Sequence, residues 1–265
     1  AGGGAGAMNL LELRGVRKRF GGLQAVRDVT LEVRRGTITS LIGPNGAGKT
    51  TLFNLITGIY RPDVGSIRFQ GEELVGLRPH QVVQRGIART FQTVRLFTNL
   101  TCLENVLAGQ HCRSQAGLWA SILRTGRQRA EEARVREVAQ ACLELVGLEA
   151  AAHELAASLP YGDRKRLEIA RALATQPTLL ILDEPAGGLN ESESHALMEL
   201  ILQIRASGVT VLLIEHDMRV VMGISDEVAV LDQGRIIARG TPSDVQNAPQ
   251  VIEAYLGRPG EEALI

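Results

Sequence analysis

Residues 43–51 read Gly43-Pro44-Asn45-Gly46-Ala47-Gly48-Lys49-Thr50-Thr51. The stretch fits G-x-x-x-x-G-K-[ST], with Gly43, Gly48, Lys49 and Thr50 at the fixed positions. Before it, Thr37-Ile38-Thr39-Ser40-Leu41-Ile42 is β-rich and apolar enough for a buried parallel strand. After it, residues 51–57 predict a helix. Strand, glycine-rich turn and helix form the context in which this motif cradles a phosphate. Glycines let the backbone come close enough for several N–H groups to point inward, and the helix N-terminus adds partial positive charge. In that setting Lys49 reaches the β- and γ-phosphates and the Thr50 hydroxyl can ligate Mg²⁺. The cradle residues are therefore Gly43, Pro44, Asn45, Gly46, Ala47, Gly48, Lys49, Thr50 and Thr51.

The bulk of the chain narrows the field. Its 265 residues, 45% hydrophobic, suit one domain with an inserted subdomain. The formal net charge is zero, which argues against a nucleic-acid surface. Lys18, Lys49 and Lys165 are the only lysines, so a lysine inside the glycine loop stands out. The cysteines, Cys102, Cys112 and Cys142, are odd in number and form no C-x-x-C pair. A reducing compartment is the expectation, without disulfides or zinc. No apolar run approaches the ~18 residues of a membrane span, and no signal peptide is expected. Residues 1–7, AGGGAGA, read as a cloning scar, which leaves 8–257 as the expected domain.

Along the chain, residues 10–13 and 26–33 predict strands, with 17–22 a loop that carries Phe20. Residues 65–69 predict a further short strand, and together these suggest a small antiparallel sheet. From about 79 the pattern turns helical, and a mostly helical block over about 93–158 interrupts the strand–helix alternation. Thr101 and Glu104 fit a capping box, and residues 127–146 place Val135, Val138, Cys142 and Leu145 at helical spacing. Strand–helix alternation then resumes: helix 164–175, strand 178–182, helix 191–206, strand 209–214. A hairpin about Asp232-Gln233-Gly234-Arg235 and a helical tail over 242–256 close the pattern. Alternation of this kind predicts a mainly parallel α/β sheet covered by helices.

Two acids end the apolar strand Leu179-Leu180-Ile181-Leu182-Asp183-Glu184. Carboxyl ends of parallel strands face the ligand crevice. Asp183 is placed to hold Mg²⁺ and Glu184 to polarise an attacking water. In isolation such a pair is more readily a helix-capping acid pair, and only the glycine loop reverses that reading. Gln92, in Thr90-Phe91-Gln92, can reach both metal and water. His216 follows a core strand and can donate to a γ-phosphate. Phe20 can stack on an adenine ring. Each of these three alone is unremarkable.

Residues 159–173 tie them together. Leu159-Pro160-Tyr161-Gly162-Asp163 leads into a basic helix ending Ala170-Arg171-Ala172-Leu173. This resembles the signature segment of ATP-binding-cassette (ABC) ATPases, usually LSGGQ before a basic helix. The order of glycine loop, Gln92, signature, Asp183-Glu184, residues 186–190 and His216 is the order of that family, over nearly the whole chain. Residues 20–26, 88–92, 105–111, 161–162, 215–218, 222–226 and 254–257 resemble the branched-chain amino acid (Liv-type) import ATPases. The long connection over 111–129 resembles the larger, G-type, of that system's two ATPases.

The resemblance implies a P-loop cassette fold with an antiparallel β subdomain and an inserted helical subdomain at about 93–158. It implies ATP with Mg²⁺, held by Thr50, Gln92 and Asp183, and catalysis by Glu184, His216 and Gln92. It also implies head-to-tail pairing with a second ATPase subunit, identical or different, each signature contacting the partner's ATP. Two membrane permeases, and indirectly a periplasmic amino-acid-binding protein, complete the implied assembly on the cytoplasmic face of the cell membrane. The implied task is uptake of leucine, isoleucine and valine. Alternatives are the ATPase of a lipid or lipopolysaccharide exporter, or a soluble ABC protein outside transport. Two departures stand out. Pro160 replaces the usual serine and Asp163 the usual glutamine, which predicts a weak signature. Asn190 stands where many relatives have Asp, though Liv-type proteins often read this way.

Overall fold

A computed structural model describes residues 9–90, 94–110 and 126–256. Its centre is a six-stranded sheet in the order β10-β9-β3-β8-β7-β6. The strands are β3 (Ile38–Ile42), β6 (Ile87–Arg89), β7 (Leu179–Asp183), β8 (Thr210–Ile214), β9 (Glu227–Asp232) and β10 (Arg235–Gly240). All neighbours pair in parallel except the edge hairpin β9–β10. Every residue of β3, β7 and β8 is buried. Leu180, Leu182, Val211 and Leu213 point into one core, and Leu179, Ile181, Leu212 and Ile214 into the other. Both faces are covered, so these strands read as continuous apolar runs rather than alternating ones.

A second sheet, β2-β1-β4-β5, is antiparallel and packs on the core opposite the helical side. It comprises β1 (Asn9–Phe20), β2 (Leu23–Arg34), β4 (Val64–Phe69) and β5 (Glu72–Glu73). The expected loop at 17–22 is corrected here: strand β1 runs on to Phe20, and only Gly21 and Gly22 turn. The register of β1 against β2 slips between Leu13 and Val16 and again on either side of Lys18. Gly15 sits at the first slip with φ +58°, its N–H on Thr30 Oγ1 at 3.1 Å. Such bulges break period-two alternation, which is why the sequence reads as a short strand followed by a loop.

Helix α1 (Lys49–Ile56) follows the glycine loop, and α2 (Pro79–Gln84) precedes β6. Helices α3 (Cys102–Gln110) and α4 (Gly126–Leu145) pack with α5 (Tyr161–Leu173). Their shared core includes Cys102, Val106, Ala139, Leu143, Val146 and Leu167. The capping box is present: Thr101 N–H donates to Glu104 Oε2 at 2.8 Å and Glu104 N–H to Thr101 Oγ1 at 3.2 Å. Asn190 and Glu193 cap α6 (Glu191–Ala206) the same way. Helix α7 (Met218–Ile224) follows β8, and the tail folds as two short helices, α8 (Pro242–Gln246) and α9 (Pro249–Leu256), rather than one.

Cys142 is buried in the helical core, and burial pushes its thiol up to about 11. At pH 8 only about one thiol in a thousand is then ionised, and the thiolate is the nucleophile. Alkylation of Cys142 by iodoacetamide at pH 8, followed by peptide mass spectrometry, is expected only after denaturant unfolds the chain.

Candidate nucleotide-binding site

The glycine loop is wedged between β9 and β2. Gly43, Gly46 and Gly48 have φ of +150°, +80° and +104°. A Cβ on Gly43 would overlap the Leu231 carbonyl oxygen, and one on Gly48 would lie 2.5 Å from that of Ala25. No other residue type fits either place. The β9–β10 turn locks the arrangement: Gly234 N–H donates to Ala47 O at 2.9 Å, and Arg27 N–H to Gly234 O at 2.7 Å. Lys49 Nζ donates back to the loop carbonyls of Gly43 at 2.5 Å and Pro44 at 3.0 Å. Burial lowers the pKa of Lys49, while the charges of Glu184 and Asp183 raise it and so favour the ammonium form. A cleft of about 500 Å³ opens over the loop, lined by Asn45, Gly46, Ala47, Gly48, Lys49, Thr50, Thr51 and Glu184. Its other wall is Leu23, Gln24, Ala25 and Arg27 of β2, with Gln233 of the hairpin turn.

The two acids diverge at the end of β7. Asp183 is buried and pairs with Arg89 at 2.7 Å. Arg89 also donates to Asn54 Oδ1 of α1 at 2.7 Å. Glu184 turns into the cleft with φ +48°, a conformation a glutamate adopts only when its surroundings impose it. His216, its side chain 61% exposed, places Nδ1 3.8 Å from Glu184 Oε2. Phe20 does not line the cleft; its ring meets Tyr60 edge-on at 5.1 Å, with Lys18 Nζ 5.4 Å from its centroid. Gln92 lies outside the described residues. Among the described residues, no group of three or more His, Cys, Asp or Glu side chains could cage a metal. Thr50 beside the cleft and the nearby acids suit instead a small, hard cation shared with phosphate oxygens.

The signature residues gather elsewhere. Pro160 is the N-cap of α5 and offers no side-chain hydrogen bond there. Leu159 is buried, and its carbonyl accepts from Arg164 Nε at 2.8 Å. Asp163 pairs with Arg166 in the first turn, so its charge is partly met within the helix. Gly162 and Asp163 line a separate hollow of about 240 Å³ with Leu189, Glu193 and Leu197. Neither residue lines the cleft over the loop, so the two groups of residues open on separate hollows.

Sequence reasoning passed over Arg89, Glu215, Gln24 and Gln233. The scarcity of lysine that marks Lys49 marks Lys165 equally, buried beside the Glu184 turn. Nothing in the sequence singled out Gln24 or Gln233, since cleft walls made by a neighbouring sheet carry no local motif.

The arrangement defines an ATP-binding cassette: a glycine cradle with its lysine, two acids at a strand end, and a signature-like helix start beside a separate hollow. Residues 26–187 match the ABC transporter family, and 235–261 match the branched-chain amino acid ATP-binding cassette transporter family. The high-affinity branched-chain amino acid transport ATP-binding protein LivG of Escherichia coli is 49% identical over 94% of this chain and 98% of its own. The crystal structure of the ADP conformation of an ATP-binding cassette of an ABC transporter superposes with a TM-score of 0.83 at 33% identity, covering 95% of this chain and 100% of that one. A dimeric cassette in a post-hydrolysis state, bound to ADP and phosphate, gives 0.73 at 26% identity over 88% and 98%. The chain belongs to the ABC transporter ATP-binding family, in its branched-chain amino acid transport branch. Membership makes it a nucleotide-binding ATPase of a transport system.

Two substitutions test this geometry. Gly48→Ala forces either the αL backbone or the Ala25 carbonyl to move, at about 1–3 kcal/mol. Isothermal titration is expected to show weakened nucleotide binding while circular dichroism keeps the native spectrum. Arg89→Met strands the buried Asp183 carboxylate, and urea unfolding is expected to show a loss of about 3–5 kcal/mol.

Proposed function

We propose that this chain is the ATP-hydrolysing subunit of an importer of branched-chain amino acids. The observation that carries the reading is that Glu184 lines the same cleft as Lys49 and Thr50, with His216 at its edge. The loop N–H groups and the α1 N-terminus bind the phosphates, and Lys49 leaves its two carbonyls to meet the β- and γ-oxygens. Glu184 accepts a proton from water as the water oxygen bonds to the γ-phosphorus and the bond to the β,γ-bridging oxygen breaks, releasing ADP. His216 donates to the γ-phosphate and keeps Glu184 oriented. Mg²⁺ would be held by Thr50, Gln92 and Asp183 and would supply positive charge against the phosphates; Gln92 has the further role of orienting the lytic water. The β2 wall, with Phe20 at the end of its hairpin, is the side on which the adenine rests.

Phosphate chemistry alone moves nothing; pairing does. A second cassette subunit places its signature helix over this cleft, while Leu159 to Asp163 here serve the partner's ATP. ATP then bridges the pair, and its hydrolysis lets them part. The helices around α3 and α4 pass the motion to two membrane permease subunits, and a periplasmic amino-acid-binding protein delivers solute on the far side. Among the described residues no helix is long and apolar enough to cross a membrane, which fits peripheral attachment at the cytoplasmic face.

Glu184→Gln keeps the shape and removes the base. Turnover in the assembled transporter is expected to fall about a thousandfold with ATP affinity retained; undiminished turnover removes Glu184 from the role. Radiolabelled leucine uptake in cells is expected to disappear with the same variant. The weak signature has its own test. Pro160 supplies neither a hydroxyl nor a backbone N–H, so Pro160→Ser is expected to raise ATP turnover, and an unchanged rate counts against a weak signature.

A further inference from the structure

The turn that carries Glu184 is held from both sides by buried charge. Lys165, on α5 and 6% exposed, donates its ammonium to the carbonyls of Glu184 at 3.0 Å and Pro185 at 2.9 Å. Glu215, at the end of β8 and 0% exposed, accepts from the N–H groups of Ala186 at 2.7 Å and His216 at 3.1 Å. Glu184 N–H donates to Ile214 O at 3.0 Å, and Gly187 N–H to Glu184 O at 3.2 Å. The backbone is pinned at successive residues while φ of Glu184 stays at +48°. Burial lowers the pKa of Lys165, with the Glu215 charge foremost among those that oppose it, and burial raises the pKa of Glu215.

The same lysine belongs to the signature helix. It lies one turn beyond Tyr161, its Nζ 5.4 Å from the Tyr161 ring centroid. Tyr161 in turn packs on the segment after the acids: a Cβ on Gly188, whose φ is +79°, would lie 3.1 Å from Tyr161 Cε1. A side chain on Gly188 would push the signature away from the acid turn. The first turn of α5 and the Glu184 turn are therefore one packed unit within a single chain.

We propose that Lys165, with Glu215 opposite, is a positioning residue that holds Glu184 in its strained, cleft-facing conformation and links it to the signature helix. Whatever shifts the first turn of α5 is transmitted through the Lys165 ammonium to the carbonyls of Glu184 and Pro185. The cleft that Glu184 serves and the half-site that α5 offers then change together. This rests on the assignment of Glu184 as the base.

The test compares Lys165→Met, Lys165→Arg and Glu184→Gln in the assembled transporter. A catalytic group displaced by about 1 Å loses on the order of a hundredfold in rate. Lys165→Met is expected to lower kcat by roughly ten- to a hundredfold while the ATP dissociation constant, measured with a fluorescent ATP analogue, stays at the wild-type value. Lys165→Arg, which keeps the charge and the donors, is expected to restore most of the rate. Wild-type kcat in Lys165→Met overturns the proposal. So does a rate loss accompanied by weakened ATP binding and not restored by Lys165→Arg, since that marks a general packing role. Full turnover in Glu184→Gln refutes the base assignment itself, whatever the lysine variants do. In a double-mutant cycle, Glu215→Gln is expected to cost less in the Lys165→Met background than alone, because the two charges act as a pair; strict additivity removes Glu215 from the clamp.

Discussion

Everything in this cassette turns on how closely peptide backbones approach one another around the glycine loop. Gly43 presses on the Leu231 carbonyl and Gly48 on that of Ala25, so the loop touches both the parallel sheet and the antiparallel one. Were the loop built of larger residues, β2 and the β9–β10 turn would stand off and the cleft would lose its second wall. The close fit fixes the path of the loop's backbone, and Lys49 donates to the loop's own carbonyls. A site prepared in this way loses little freedom when a polyphosphate replaces those internal partners.

Buried charge organises the other side of the cleft. Arg89 and Asp183 neutralise each other between β6 and β7, tied through Asn54 to α1. Lys165 and Glu215 bracket the Glu184 turn. Groups of this kind stabilise a fold only modestly, because desolvation offsets most of the attraction. Their value here is orientation. One acid is held back within the sheet end and the other is held forward into the cleft, so two adjacent carboxylates face different environments.

The separation of the two hollows accords with the proposed pairing of two chains. The cradle and the signature open on different hollows. A relative of similar fold is dimeric with ADP and phosphate bound. A nucleotide enclosed by two chains is a contact whose strength changes when a phosphate leaves, and such a contact is what an engine for moving membrane partners needs.

The residues of the cradle, the paired acids and the signature were legible as local words, because each depends on chemistry within a few positions of backbone. The parallel strands were legible too, since burial on both faces leaves continuous apolar runs. Helix α6 was legible to the residue, its ends marked by Asn190 with Glu193 and by Ser207. Strand β1 was not, because bulges at Gly15 and about Lys18 reset its alternation. Nor were β6, too short for any period, and the split of the tail into α8 and α9. Sequence by itself singled out the groups proposed to do the chemistry. Only the tertiary structure decided which way they face: that Asp183 turns to Arg89 while Glu184 turns to the cleft, and that Lys165 and Glu215, fifty residues apart along the chain, close on the same turn. Such pairings arise from the order of strands and the packing of α5, and a buried charge takes its meaning from whatever the fold places opposite it.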